Sequence, residues 1–281
     1  MTVPHATAQS HRAEEQAPSS VPSVRDQLVT VGWFFGLSLA LAIVSIVAGV
    51  SSALLPFILA LGPTVIAIAL AWREGHGALA RLRHSLVTRP ARRRWYLILG
   101  LPVAWSLATV AIAVVLGAPT TGLFDKVFPS VLIVFPVVLI PAIAEEVAWR
   151  GFAVPRLMSA MSPLRAALVV SIPWTLVHLG LFLPGQMNGS LVVWAGVLSI
   201  VSYSVILTWV FVRTGGSVLM TALLHAGLNA VAPVMAGVDL NTEWVIRNIL
   251  AGLIAVAVVS LGGFRSVSRS RVQHAAPATA R

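Results

Sequence analysis

The chain of 281 residues contains no cysteine, and only 10% of it is charged. The first absence excludes disulfides, thiolate metal sites and a cysteine nucleophile. The second excludes a soluble globular protein, because such domains carry about a quarter charged residues and this one could not cover its surface. With 58% hydrophobic residues, the composition is that of a polytopic membrane protein, an all-α bundle of transmembrane helices. Acids are also scarce, nine against nineteen lysines and arginines, for a net charge of +10. That excess does not point to nucleic acid. The arginines fall in short loops and tails beside apolar runs, where cytoplasmic positive charge is expected. The partner implied is the lipid bilayer.

A span needs about 20 apolar residues. Eight candidates result, at roughly 27–49, 52–72, 95–116, 128–150, 166–183, 191–212, 216–236 and 245–263. The short connection near Gly49 to Ser52 predicts a tight hairpin between the first two. No internal repeat is present, and no short apolar region with a cleavage site suggests a signal peptide. Four regions follow: a polar segment 1–25, expected to be disordered; spans in 26–127 with a basic loop 73–94; a core 128–264; and a basic tail 265–281, expected to be disordered. The loop after span two holds Arg73, Arg81, Arg83, Arg89, Arg92, Arg93 and Arg94. Arg156, Arg165 and Arg213 follow spans four and six, and Arg265, Arg269, Arg271 and Arg281 lie in the tail. The opposite loops hold Asp125, Lys126, Asp239, Glu243 and Arg247. Eight spans with both termini in the cytoplasm, in a bacterial-type plasma membrane, place every basic cluster inside. "HGALARLRHSLV" (76–87) reads either as an amphipathic surface helix whose arginines meet anionic lipid or as a basic loop.

Of the acids, only Glu145 and Glu146 fall inside a predicted span, and of the histidines only His178 and His225 do. A charge at mid-bilayer costs roughly 3 kcal/mol on insertion scales, so such residues usually pair and mark function. Glu146 and Arg150 are four apart and share a helix face, so they are expected to pair. Glu145 is rotated by about 100° and is expected to lack that partner, which suits a general base. A bland alternative gives Glu146 an ion-pair role that locks helices together. His225 and Asn229 again share one face and can donate to one point in space.

The three stretches "EEVAWR" (145–150), "WTLVH" (174–178) and "HAGLN" (225–229) resemble the CPBP family of intramembrane proteases, which includes the type II CAAX prenyl endopeptidases and bacterial Abi-like proteins. Order and spacing fit over roughly 128–236. The family usually has Phe where this chain has Trp174, which keeps an aromatic wall and changes its size. The resemblance implies hydrolysis of a peptide bond of a membrane-associated protein or peptide, in a cavity within the membrane. Glu145 would activate water with help from His178, His225 and Asn229 would stabilise the oxyanion, and Glu146 and Arg150 would support the site.

The resemblance leaves the metal open. Glu145, His178 and His225 would form a His2Glu set suited to zinc, and the same residues would serve a metal-free glutamate protease. Other intramembrane hydrolases fit poorly. There is no HExxH, the aspartates lie at span ends or in loops, and Ser217 lacks a following Gly. Two other classes remain: a non-catalytic immunity or binding protein on the same scaffold, and a proton-coupled transporter. With upright helices Glu145 would sit on the order of 10 Å nearer the cytoplasm than the histidines, at 1.5 Å per residue. Tilt, or a fourth helix that starts after Pro129 and runs past Arg150, would close that gap. A cavity open to the cytoplasm is expected.

Overall fold

The computed structural model describes residues 22–117, 127–231 and 239–264. Most of the polar ends expected to be disordered (1–21 and 265–281), Asp125, Lys126 and the last residues of the seventh predicted span lie outside these. Among the described residues the chain is helical, with no strand. The elements are α1 (Val24–Val47), α2 (Leu55–Glu74), α3 (His76–Val87), a 3-10 turn (Arg93–Gly100) leading into α4 (Leu101–Val115), and α5 (Val127–Glu146). After α5 come a π turn (Val147–Ala153), α6 (Val154–Leu157), α7 (Pro163–His178) with a 3-10 extension (Leu179–Phe182), α8 (Val193–Arg213), α9 (Val218–Val231) and α10 (Leu240–Ser260). Every predicted span coincides with a helix, and the protein is an integral membrane protein. Among the described residues six helices are long and apolar enough to cross a membrane. The fourth and seventh regions are not among the six, and both border residues outside the described ones.

The first hairpin forms as its turn residues require. Ser23 starts α1 with a capping box, its hydroxyl accepting from the Asp26 N–H and the Asp26 carboxylate accepting from the Ser23 N–H. Gly49 takes a φ of 68°, the left-handed region open to glycine, and α2 returns against α1. The segment 76–87 is a helix rather than a loop. Its apolar face, Ala78 and Leu82, is buried against the bundle.

Burial follows the logic of a bilayer rather than of water. Lipid is as apolar as leucine, so helices associate through close packing of small residues. Ala67, Ala71, Ala148, Ala153, Ala166, Ala167, Ala226 and Ala230 are buried, whereas Val47, Leu97 and Leu261 are exposed. The centre holds Phe34, Trp149 and Phe152, whose rings meet at 5.1 Å (Phe34 to Trp149) and 5.3 Å (Phe34 to Phe152). Around it α5 packs extensively on α9, and α8 on α7 and α10. At Gly227 an added Cβ would lie 2.8 Å from Pro102 of α4. A side chain there would push α4 away from the helix that carries His225.

Two expectations about charge are corrected. Glu243 and Arg247, expected in an outer loop, lie inside α10, 4% and 8% exposed, with Oε1 and Nε 3.2 Å apart. The helix starts earlier than hydropathy indicates because Asp239 caps it, accepting from the Thr242 N–H at 2.9 Å. The i,i+4 pairing then lets both charges be buried together. That backbone N–H and the Thr242 hydroxyl hold the Asp239 carboxyl below the usual aspartate range. Arg156, expected in a cytoplasmic loop, is a buried residue of α6 whose guanidinium makes two contacts with the Glu74 carboxylate of α2.

Candidate functional site

The site is assembled where α5 breaks. α5, the π turn and α6 form one helical column that begins at Val127, before Pro129, and ends at Leu157. Glu145 and Glu146 close the α-helical part, and Arg150 lies within the wider turn. π turns inside α-helices are frequent at functional sites. Because the column runs past Arg150, Glu145 lies well inside it and level with residues of α7 and α9. The expected depth offset is therefore closed. The Ala144 carbonyl, just before the acidic pair, accepts from the Thr64 hydroxyl of α2, which ties the column to the first hairpin.

Glu146 is the hub of one half of the site. Its Oε1 accepts from Arg150 Nη1 at 2.9 Å and faces His225 Nδ1 at 2.9 Å. Both the carboxylate and the guanidinium are fully buried. Arg150 also reaches the Tyr203 carbonyl at 3.5 Å, and its guanidinium carbon stands 4.2 Å from the centre of the Trp174 ring. A carboxylate paired with arginine accepts hydrogen bonds, so His225 donates from Nδ1, and its Nε2 carries a proton only in the imidazolium form. Asn229 lies one turn further along α9 and is half-buried.

Glu145 forms the other half, and it lacks the arginine as expected. It is not without a partner: Trp174 Nε1–H donates to Oε2 at 2.8 Å. Glu145 is 7% exposed, and among the described residues its Oε1 has no hydrogen-bond partner. His178 Nδ1 lies 2.9 Å from the Trp174 carbonyl. A carbonyl only accepts, so Nδ1 carries the proton and the neutral ring presents the Nε2 lone pair. That Nε2 is 3.6 Å from Glu145 Oε2, beyond a direct hydrogen bond. One water could reach both groups. The imidazole is the more open side of the pair, with 18% of its side chain exposed.

The structure thus brings all six predicted residues onto three neighbouring elements but divides them. Glu145 goes with His178, and Glu146 with Arg150 and His225. His225 Nδ1 is held by the other glutamate and the indole N–H of Trp174 occupies one oxygen of Glu145, which leaves His225 Nε2, His178 Nε2 and Glu145 Oε1 as the atoms a ligand could use. Among the described residues no group of three or more His, Cys, Asp or Glu is placed to hold a metal ion. A cavity of about 500 Å³ lies between α1 and α2 beside Trp33 and Glu74, and one of about 570 Å³ along Arg94 to Ala104, and neither is lined by the acidic pair or the histidines.

Sequence reasoning treated Trp174 as a wall. It is a contact of nearly every group here: donor to Glu145, floor under Arg150, and edge-on to His178 at 5.9 Å and His225 at 5.8 Å. The departure from phenylalanine was the visible signal, since Phe has no N–H to give.

The fold and site define a class: a polytopic helical membrane protein with a glutamate–histidine centre buried between its helices. Residues 127–231, from α5 through α9, match the family described as Rce1-like, type II CAAX prenyl endopeptidase Rce1-like. The chain is also similar to a protein of Methanococcus maripaludis named CAAX prenyl protease 2, at 28% identity over 130 residues, 43% of this chain and 46% of the relative. The match therefore spans less than half of that relative's length. Both findings support the CPBP family.

Proposed function

We propose that the chain is an intramembrane endopeptidase, CAAX-protease-like, that hydrolyses a peptide bond of a membrane-associated protein or peptide. The observation that carries the reading is the Glu145–His178 pair, two proton-accepting groups 3.6 Å apart at Oε2 and Nε2 in a water-poor interior. The family match over the same helices supports it.

Water held between Glu145 and His178 gives a proton to Glu145 as its oxygen attacks the carbonyl carbon. The Trp174 N–H keeps Oε2 engaged, so Oε1 is the oxygen that faces the proton. The developing oxyanion takes donors from His225, as imidazolium, and from the Asn229 amide, both on α9. Glu146 fixes His225 through Nδ1, and Arg150 holds Glu146. As the C–N bond breaks, Glu145 returns its proton to the leaving amine, the products are a carboxylic acid and an amine, and the acid loses its own proton to water. Among the described residues no three His, Cys, Asp or Glu donors are placed to hold a metal ion, so no step passes through one, and the chain acts as a glutamate-type protease.

The test is incubation of purified protein with a library of membrane-anchored peptides in oxygen-18 water, read by mass spectrometry. New C-termini carrying solvent oxygen are expected. Intact peptides, with tight binding or proton-coupled uptake instead, would replace this reading by one of the alternatives.

A further inference from the structure

We propose that the groove running from Arg94 to Ala104 is a binding site for one anionic glycerophospholipid, its phosphate on Arg94 and an acyl chain along the apolar floor. The groove encloses about 570 Å³ and is lined by Arg94, Trp95, Leu97, Ile98, Leu101 and Ala104, among others. One cationic residue stands at one end and the rest is largely apolar, which is the distribution of a phospholipid. A soluble phosphate would leave the floor uncovered, and a neutral lipid would leave the cation without a counter-charge.

The charge is available. Arg92, Arg93 and Arg94 are all exposed, and among the described residues none of them makes an ion pair. A guanidinium matches a phosphate with two parallel hydrogen bonds. The apolar wall is also uncovered by protein: Leu97 is 81% exposed and Tyr96 43%, which places this turn against acyl chains. The groove is held in shape rather than left mobile. The Trp95 ring packs edge-on against Trp209 of α8, with centroids 5.3 Å apart.

The position links the lipid to the site. The same turn continues into α4, whose Pro102 packs on Gly227 of α9, between His225 and Asn229. A lipid that braces the start of α4 braces the helix that carries both oxyanion donors. The groove and its charge are independent of the proposed chemistry.

The experiment uses the full chain in nanodiscs of phosphatidylcholine with and without phosphatidylglycerol. Retained lipid is counted by native mass spectrometry. Arg94→Gln removes a charge-assisted hydrogen bond to the phosphate and is expected to retain phosphatidylglycerol at least about tenfold more weakly. Arg83→Gln removes the same charge from α3, outside the groove, and is expected to weaken retention by about fivefold at most, the share of one arginine in diffuse surface attraction. Ala104→Trp fills the exposed floor without touching charge and is expected to displace the lipid as well. Equal losses in Arg94→Gln and Arg83→Gln would mean diffuse surface charge and overturn the site. So would full retention in Ala104→Trp, or wild-type protein that keeps phosphatidylcholine as well as phosphatidylglycerol.

Discussion

Replacing Arg150 by methionine tests how the buried half of the site is held. The guanidinium is fully buried against Glu146 and stacked on Trp174. Methionine is long and apolar and fills much of the same space, so the cavity term is small. What remains is electrostatic. Glu146 keeps its charge with His225 as its one protein partner, and its Oε2 already has none. Breaking a buried pair by removing one partner costs about 3–5 kcal/mol. The double variant Glu146→Gln, Arg150→Met removes both charges and is expected to recover at least half of that loss. Equilibrium unfolding in mixed micelles, followed by tryptophan fluorescence, measures wild type, Arg150→Met, Glu146→Gln and the double variant. A single Arg150→Met variant within about 1 kcal/mol of wild type would refute the reasoning, since it lies well below the cost of an orphaned buried charge. So would a double variant as unstable as the two singles summed.

Three further outcomes are expected. Trp174→Phe keeps the ring and removes the N–H that engages Glu145, a hydrogen bond to a charged group worth about 1.5–3 kcal/mol; kcat should fall by at least about tenfold with KM unchanged, and steady-state kinetics on one cleaved peptide checks it. A chelator should leave cleavage unchanged, because the donors do not converge on a metal position; an activity lost to chelation and restored by zinc would contradict the assigned geometry. Asp239 has a folded carboxyl held below its unfolded value, so its cap is complete above the unfolded range, about pH 4, and is lost as pH falls through the folded one. Hydrogen exchange in the first turn of α10, corrected for intrinsic rates, should show that loss in wild type, whereas Asp239→Asn keeps an acceptor and loses the acid dependence.

The bundle was legible because apolar runs of span length are rare outside membranes, and the site because ionisable residues inside such runs are rarer still. The i,i+4 spacing of Glu146 and Arg150 led directly to their contact. Partner choice across helices was not legible. Which glutamate His225 meets depends on how α9 is rotated against α5, and spacing within one helix carries no information about that. The π turn was equally hidden, since "VAWRGFA" (147–153) has no composition that sets it apart from an ordinary apolar helix. Glu243, Arg247 and Arg156 were counted with loops because each lies at or just beyond the edge of an apolar run. Capping by Asp239 and pairing with Glu74 or each other carry the helices further.

The central claim is that Glu145 is the base that activates water. The most direct measurement is kcat/KM for Glu145→Gln against wild type on a single cleaved peptide, with folding confirmed by tryptophan fluorescence. Glutamine keeps an oxygen for the Trp174 N–H and the size of the side chain but cannot take the proton. General-base catalysis contributes about 10²–10⁴-fold, so a loss in that range with an unfolding midpoint close to wild type is the predicted result. Cleavage by the variant at the wild-type rate would contradict the account.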